Sequence, residues 1–173
     1  MALGDVLLVL LGDGPGTTYD LQRRHNAAFG PDERVDISRV SWTLIRQERL
    51  GDVRVINAAR PAKQRRFELT DAGRRHQREW LLRVPADATF DDVRTRVLLA
   101  VAAADRPTFE TVVAVCLAHV ELSMRPSPSD APLSPGRARA ELAGAVLAAQ
   151  LAWLQGLRHR PRDRDRVSAS EAS

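Results

Sequence analysis

Arg65-Arg66-Phe67-Glu68-Leu69-Thr70-Asp71-Ala72-Gly73-Arg74 is the stretch on which the reading of this chain turns. In its first half the apolar Phe67 and Leu69 alternate with charged neighbours, the period of a strand with one buried face. Thr70-Asp71 then offers a hydroxyl and a carboxylate where a helix start needs an acceptor and a negative charge. A helix is therefore expected through about residue 83. Upstream, Val53-Arg54-Val55-Ile56 repeats the strand alternation. Before it, residues 37–50 read as a helix opened by Asp36 and closed by Gly51. Its inward positions at helical spacing are Ile37, Val40, Leu44 and Ile45, which leaves Ser38, Arg39, Trp42, Thr43, Arg46 and Arg49 outward.

Nearer the start, Thr17-x-x-Asp20 has the form of a cap with an acidic partner, opening a helix over residues 18–29 that Gly30-Pro31 ends. Leu3 to Leu11 is apolar enough for a short buried helix, and Gly12 to Gly16 reads as a turn. The two strands are joined by residues 57–64, with Arg60 and Lys63 near the tip. Three helices, a two-stranded hairpin with a basic tip, then a helix: this is the order of a winged helix-turn-helix.

Beyond Val84-Pro85 the texture turns Ala/Val/Leu-rich and helical. Thr89-x-x-Asp92 opens a helix to about residue 104, and Asp105-Arg106-Pro107 breaks the chain before a third segment, residues 108–124. The stretch from Pro126 to Pro135 holds four prolines and three serines and reads as a mobile loop. Residues 136–157 form a long Ala-rich helix with Leu142, Val146, Leu147, Leu151, Trp153 and Leu154. The Arg/Asp-rich end, 158–173, reads as disordered. The expected fold class is mainly α with a small β-hairpin. A winged helix-turn-helix over 1–84 precedes a helical dimerisation part over 85–157.

Charge sharpens this division. The chain has 173 residues and a net charge of +4, but residues 37–66 alone carry 8 basic against 2 acidic side chains. Of the 26 basic residues only Lys63 is lysine. A GC-rich genome accounts for that bias, although arginine is also the side chain that best grips phosphates and guanine edges. No unbroken run approaches 18 apolar residues, so no membrane span is expected. No basic stretch precedes the first apolar segment and no small-residue cleavage site follows it, so a secretory leader is not expected either. A single cysteine, Cys116, excludes an internal disulfide and a multi-cysteine zinc site. These features imply a cytoplasmic protein basic enough for nucleic acid.

Several motifs in this order resemble the PadR family of bacterial transcriptional regulators. They are Leu3 to Leu11 with Gly14-Pro15, Thr18-Tyr19-Asp20-Leu21 with Phe29-Gly30, and Val40-Ser41-Trp42-Thr43-Leu44 with Gly51-x-Val53. Arg66 to Arg74 looks like the family's strand-to-helix junction, and Trp153-Leu154 resembles a pair in its last helix. The resemblance covers residues 3–157. It departs at Ser41, where the family usually has an aromatic residue, and at Gln47 and Asp52, where it has apolar ones. It implies a homodimer on a palindromic operator, a repressor's role, and an effector, often aromatic or phenolic, lodged near the junction of the two parts. Trp80, Phe90, Phe109 and Trp153 are the aromatic candidates for that pocket.

In a helix-turn-helix the second helix enters the major groove with its N-terminal residues at the base edges. Ser38, Arg39, Ser41, Trp42 and Thr43 occupy that place, with Arg39 the candidate for a guanine. Arg46 would meet phosphate, Thr17, Thr18 and Tyr19 would hold phosphate at a helix N-terminus, and Arg60, Lys63 and Arg65 would grip the flanking backbone. The plainer reading of each exposed arginine is a solvated helix face. His25, His76, His119 and His159 share no metal-ligand spacing, and His119 three residues after Cys116 is read as a neighbour of a core cysteine. The glycines at 12, 14 and 16 lack the preceding strand of a phosphate loop. No catalytic constellation, cofactor or metal is expected. The competing reading is a winged-helix protein-interaction module without DNA binding; a carrier using the helical part alone is a third.

Overall fold

The structure, a computed structural model, describes residues 2–56, 65–124, 132 and 134–162. Helix α1 (Leu3–Leu11) is followed by a two-residue strand β1 (Gly16–Thr17), α2 (Thr18–Phe29), a 3-10 turn (Pro31–Glu33) and α3 (Ile37–Arg49). Strands β2 (Val53–Val55) and β3 (Arg66–Leu69) lead to α4 (Asp71–Leu82), then α5 (Phe90–Ala103), α6 (Arg106–Ser123) and α7 (Pro135–Arg158). This is a winged helix followed by a helical C-terminal region. The expected hairpin is a three-stranded antiparallel sheet in the order β1-β3-β2. Gly16 pairs with Phe67 and Val55 with Phe67 from the other side, so β3 is the central strand. Part of the Gly12 to Gly16 turn is thus an edge strand. The wing link with Arg60 and Lys63, most of the proline-rich loop and the final eleven residues lie outside the described residues.

Helix α1 is the hub. Seven of its nine residues are buried, and it packs against α2, α3, α4, α5 and β3. One hydrophobic core runs from Val6 through Leu44, Leu69, Val97 and Phe109 to Leu154. Burial of this kind is worth about 25 cal/mol per Å² of apolar surface removed from water.

The opening stretch acts as a joint. The Thr70 hydroxyl accepts from the Gly73 N–H at 3.1 Å and donates to the Gly51 carbonyl at 2.6 Å, while the Thr70 N–H donates to the Asp52 carbonyl at 3.0 Å. Gly73 makes the close approach possible, since a Cβ there would stand 2.0 Å from the Asp52 carbonyl oxygen. Gly51, at φ +82°, supplies the left-handed turn between α3 and β2.

The C-terminal end of α7 is clasped by two arginines. Arg106 donates to the carbonyls of Arg158 and Arg160. Arg162, 6% exposed, donates to the carbonyls of Ala100 and Ala104 at the end of α5, and its guanidinium lies 4.8 Å from the Phe109 ring centre. Residues 158–162, read above with the polar tail, therefore belong to the folded body. By length and composition alone, helix α7 is apolar enough to cross a membrane, with an 18-residue window of mean hydropathy 1.2, of which 11% is buried. Glu141 and Gln150 interrupt its apolar residues, so it holds no unbroken apolar run of that length.

Candidate nucleic-acid interface

Helix α3 separates cleanly into two faces. Val40, Leu44 and Gln47 are buried, while Ser38, Arg39, Trp42, Arg46 and Arg49 are exposed. Arg39, Trp42, Arg46 and Arg49 follow one another at three- and four-residue steps, so they form one stripe along the helix. Trp42, at its centre, is 71% exposed. Ser41 and Thr43 are half-buried at its flanks, and the Thr43 hydroxyl donates to the Arg39 carbonyl at 2.8 Å.

Two expectations for α3 need correction. Ile37 is 47% exposed rather than inward, because Val35 outside the helix is buried there. The Val35 carbonyl accepts from Gln22 at 2.9 Å and its N–H donates to Asn26 at 3.3 Å, which fastens the approach to α3 onto α2. Asp36 stands at the N-cap, but its side chain makes no capping bond.

The start of α2 is a complete capping box: the Thr17 N–H and hydroxyl both donate to Asp20 Oδ2, and the Asp20 N–H returns to Thr17 Oγ1. These bonds hold the Asp20 carboxyl below its ordinary range. Both Thr17 donors are thus directed at a carboxylate. Thr18 is half-buried and Tyr19 is 63% exposed. Arg65 is exposed just before β3, Arg66 donates to the Pro15 carbonyl at 3.1 Å, and Arg54 pairs with Glu68 across the sheet. Arg24, in a basic pair with the exposed Arg23, is structural: it donates to the carbonyls of Leu10 and Gly14.

Behind the stripe lies a polar cluster that the sequence did not announce. His76 on α4 sits between Asp52, 2.9 Å from Nδ1, and Asp5 of α1, 3.2 Å from Nε2. Hydrogen bonding to Asp52 is the main force holding the His76 pKa above its ordinary value, and the two carboxylate charges add to it against burial. Burial pushes the Asp5 carboxyl up, opposed by the charges of His76 and Arg96. The polar residues at 47 and 52 are thereby explained in part. Asp52 is buried with His76 as its partner, and Gln47 packs against Gly4 of α1.

The four aromatic candidates for a ligand pocket are dispersed. Phe109 is buried in α6, with guanidinium groups on its ring. Phe90 is 48% exposed, and Trp153 is half-buried on α7. Trp80 has Arg96 stacked 4.5 Å from its ring centre, and lines an open cavity of about 720 Å³ with His76, Arg83, Val84 and Pro85 but none of the other three aromatics. Cys116 is buried, which pushes its thiol up to about 11, and His119 turns away to the Ala88 carbonyl at 3.2 Å. Among the described residues no group of three or more His, Cys, Asp or Glu could hold a metal ion.

A helix-turn-helix with a three-stranded wing and an outward arginine stripe defines a winged-helix architecture with a basic recognition-type helix. No protein-family model matches the chain, and no curated protein matches it. Among solved structures it is similar to the crystal structure of Bacillus subtilis PadR in complex with operator DNA, at 16% identity, with 91% of this chain and 98% of that one covered and a TM-score of 0.42.

Proposed function

We propose that the protein is a sequence-specific DNA-binding transcriptional regulator, a dimeric repressor of PadR type released by a small aromatic ligand. One observation carries this reading: the second helix of the helix-turn-helix turns three arginines and a tryptophan to solvent along a single stripe. In the major groove Arg39 meets a guanine edge, with Ser38, Ser41 and Thr43 beside it, and Arg46 and Arg49 take phosphates. Thr17, Thr18 and Tyr19 approach the backbone of the same site, and Arg60, Lys63 and Arg65 grip its flank. Residues 1–84 form the DNA-binding unit and residues 85–157 the dimerisation and sensing part. Such a protein works on chromosomal DNA, in the cytoplasm, and its chemistry is binding rather than catalysis.

Helix α7 supports the dimer. About 36 Å long at 1.5 Å per residue, it has only Gln150 and Leu154 buried, while Leu142 and Val146 are 66% and 41% exposed. On a palindromic operator the two α3 helices of a two-fold dimer occupy half-sites about 34 Å apart. The Trp80 cavity, open to solvent beside the exposed Arg83, is where an aromatic or phenolic effector would lodge.

Selection from a random duplex library, followed by salt titration of the recovered site, tests the reading. Affinity should fall steeply with salt, Arg39→Ala should relax specificity, and Lys63→Ala should weaken all sequences alike. Equal binding of selected and random duplexes at moderate salt overturns it in favour of a protein-interaction module. For the dimer, sedimentation should give twice the chain mass, and Leu142→Glu with Val146→Glu should halve it; flotation of the wild type with lipid vesicles would assign α7 to a membrane instead.

A further inference from the structure

Trp42 sets a problem that its neighbours do not. Arginines on a helix surface are at ease in water, whereas a tryptophan left 71% exposed keeps a large apolar ring hydrated. An amphipathic ring set between arginines on one stripe is the kind of side chain that interfaces bury. The partner must be polyanionic, because Arg39 lies one turn before Trp42 and Arg46 one turn after it, on the same stripe. A DNA major groove presents donors, acceptors and one apolar feature, the thymine C5-methyl group. An indole offers a single N–H donor and no charge, so against that groove its apolar face has only the methyl to bury.

We infer that Trp42 packs on a thymine methyl and makes the protein selective for thymine at one position of each half-site. The inference rests on the DNA-binding reading and names the base chemistry that reading leaves open. Three residues of helix rise about 4.5 Å against about 3.4 Å per base step. The thymine therefore falls one or two steps from the guanine read by Arg39. The half-buried Ser41 and Thr43 on either side fix the helix register without covering the ring.

Replacing single thymines by deoxyuridine in the selected duplex removes the methyl and nothing else. With the full-length protein, binding measured by fluorescence anisotropy should weaken about fourfold per half-site at one position, the worth of one buried methyl group. At other positions it should be unchanged. Trp42→Ala should bind more weakly overall and no longer distinguish thymine from deoxyuridine there. Because Trp42 packs against nothing in the core, the variant should keep the wild-type circular dichroism and melting temperature. Equal wild-type affinity for thymine and deoxyuridine at every position overturns the inference while leaving the DNA-binding reading intact, as does discrimination that persists in Trp42→Ala. A selection that enriches no sequence overturns both.

Discussion

Helices α1 and α7 are both rich in apolar residues, and the fold treats them in opposite ways. Seven of nine residues of α1 are buried against five other elements, whereas α7 buries two of twenty-four and rests on α6. The contrast teaches that apolar content alone does not place a helix in a core. What differs is the surroundings: α1 enters a space bounded on every side by amphipathic elements. Among the described residues the N-terminal half of α7 is bounded on fewer sides, and its Leu142 and Val146 stay exposed.

That contrast can be broken by substitution. The largest effect is expected in α1, where Leu8→Ala empties a fully buried site. Chemical denaturation should show a loss of about 2–5 kcal/mol. Next, Gly73→Ala forces a methyl group onto the Asp52 carbonyl and should cost about 1–3 kcal/mol, since backbone cannot step aside as a side chain can. A value near zero would mean that the joint between α4 and the α3–β2 turn is loose.

The His76 cluster gives a smaller effect with a defined sign. Its raised pKa means that the contribution is complete below the ordinary value of 6.5 and is lost as pH rises through the folded value. The raised carboxyl of Asp5 acts in the same direction. The melting temperature should therefore fall as pH rises above about 6.5, and His76→Gln should flatten that slope. Smallest of all, Leu142→Ala on the exposed half of α7 should change the stability of the isolated protomer by less than about 0.5 kcal/mol. A loss as large as that at Leu8 would show that α7 is already covered within one chain.

The legible parts of this sequence were those whose causes are local. The boxes at Thr17–Asp20 and Thr89–Asp92 could be read because each satisfies its own helix start within four residues. The stripe on α3 was legible for the same reason. Strand β1 was not, since two residues acquire strand geometry only by pairing with β3 some fifty positions later. Asp5, Asp52 and His76 are far apart in the chain and carry no shared spacing. Ile37 has the right period for burial and loses the place to Val35. Arg162 resembles its polar neighbours in every respect except where the end of α7 delivers it.

The clasp of Arg106 and Arg162 also has a mechanical consequence. It clamps α7 at one end, with Leu147, Leu151 and Leu157 seated on the core and Leu142 and Val146 exposed on the first half, so the helix is a lever arm. A force on the exposed half is delivered as torque to its mounting at the end of α5. From there it passes through α1, which touches both α5 and α3, with helix-on-helix packing at each step. Whatever grips the arm thereby pulls on α3.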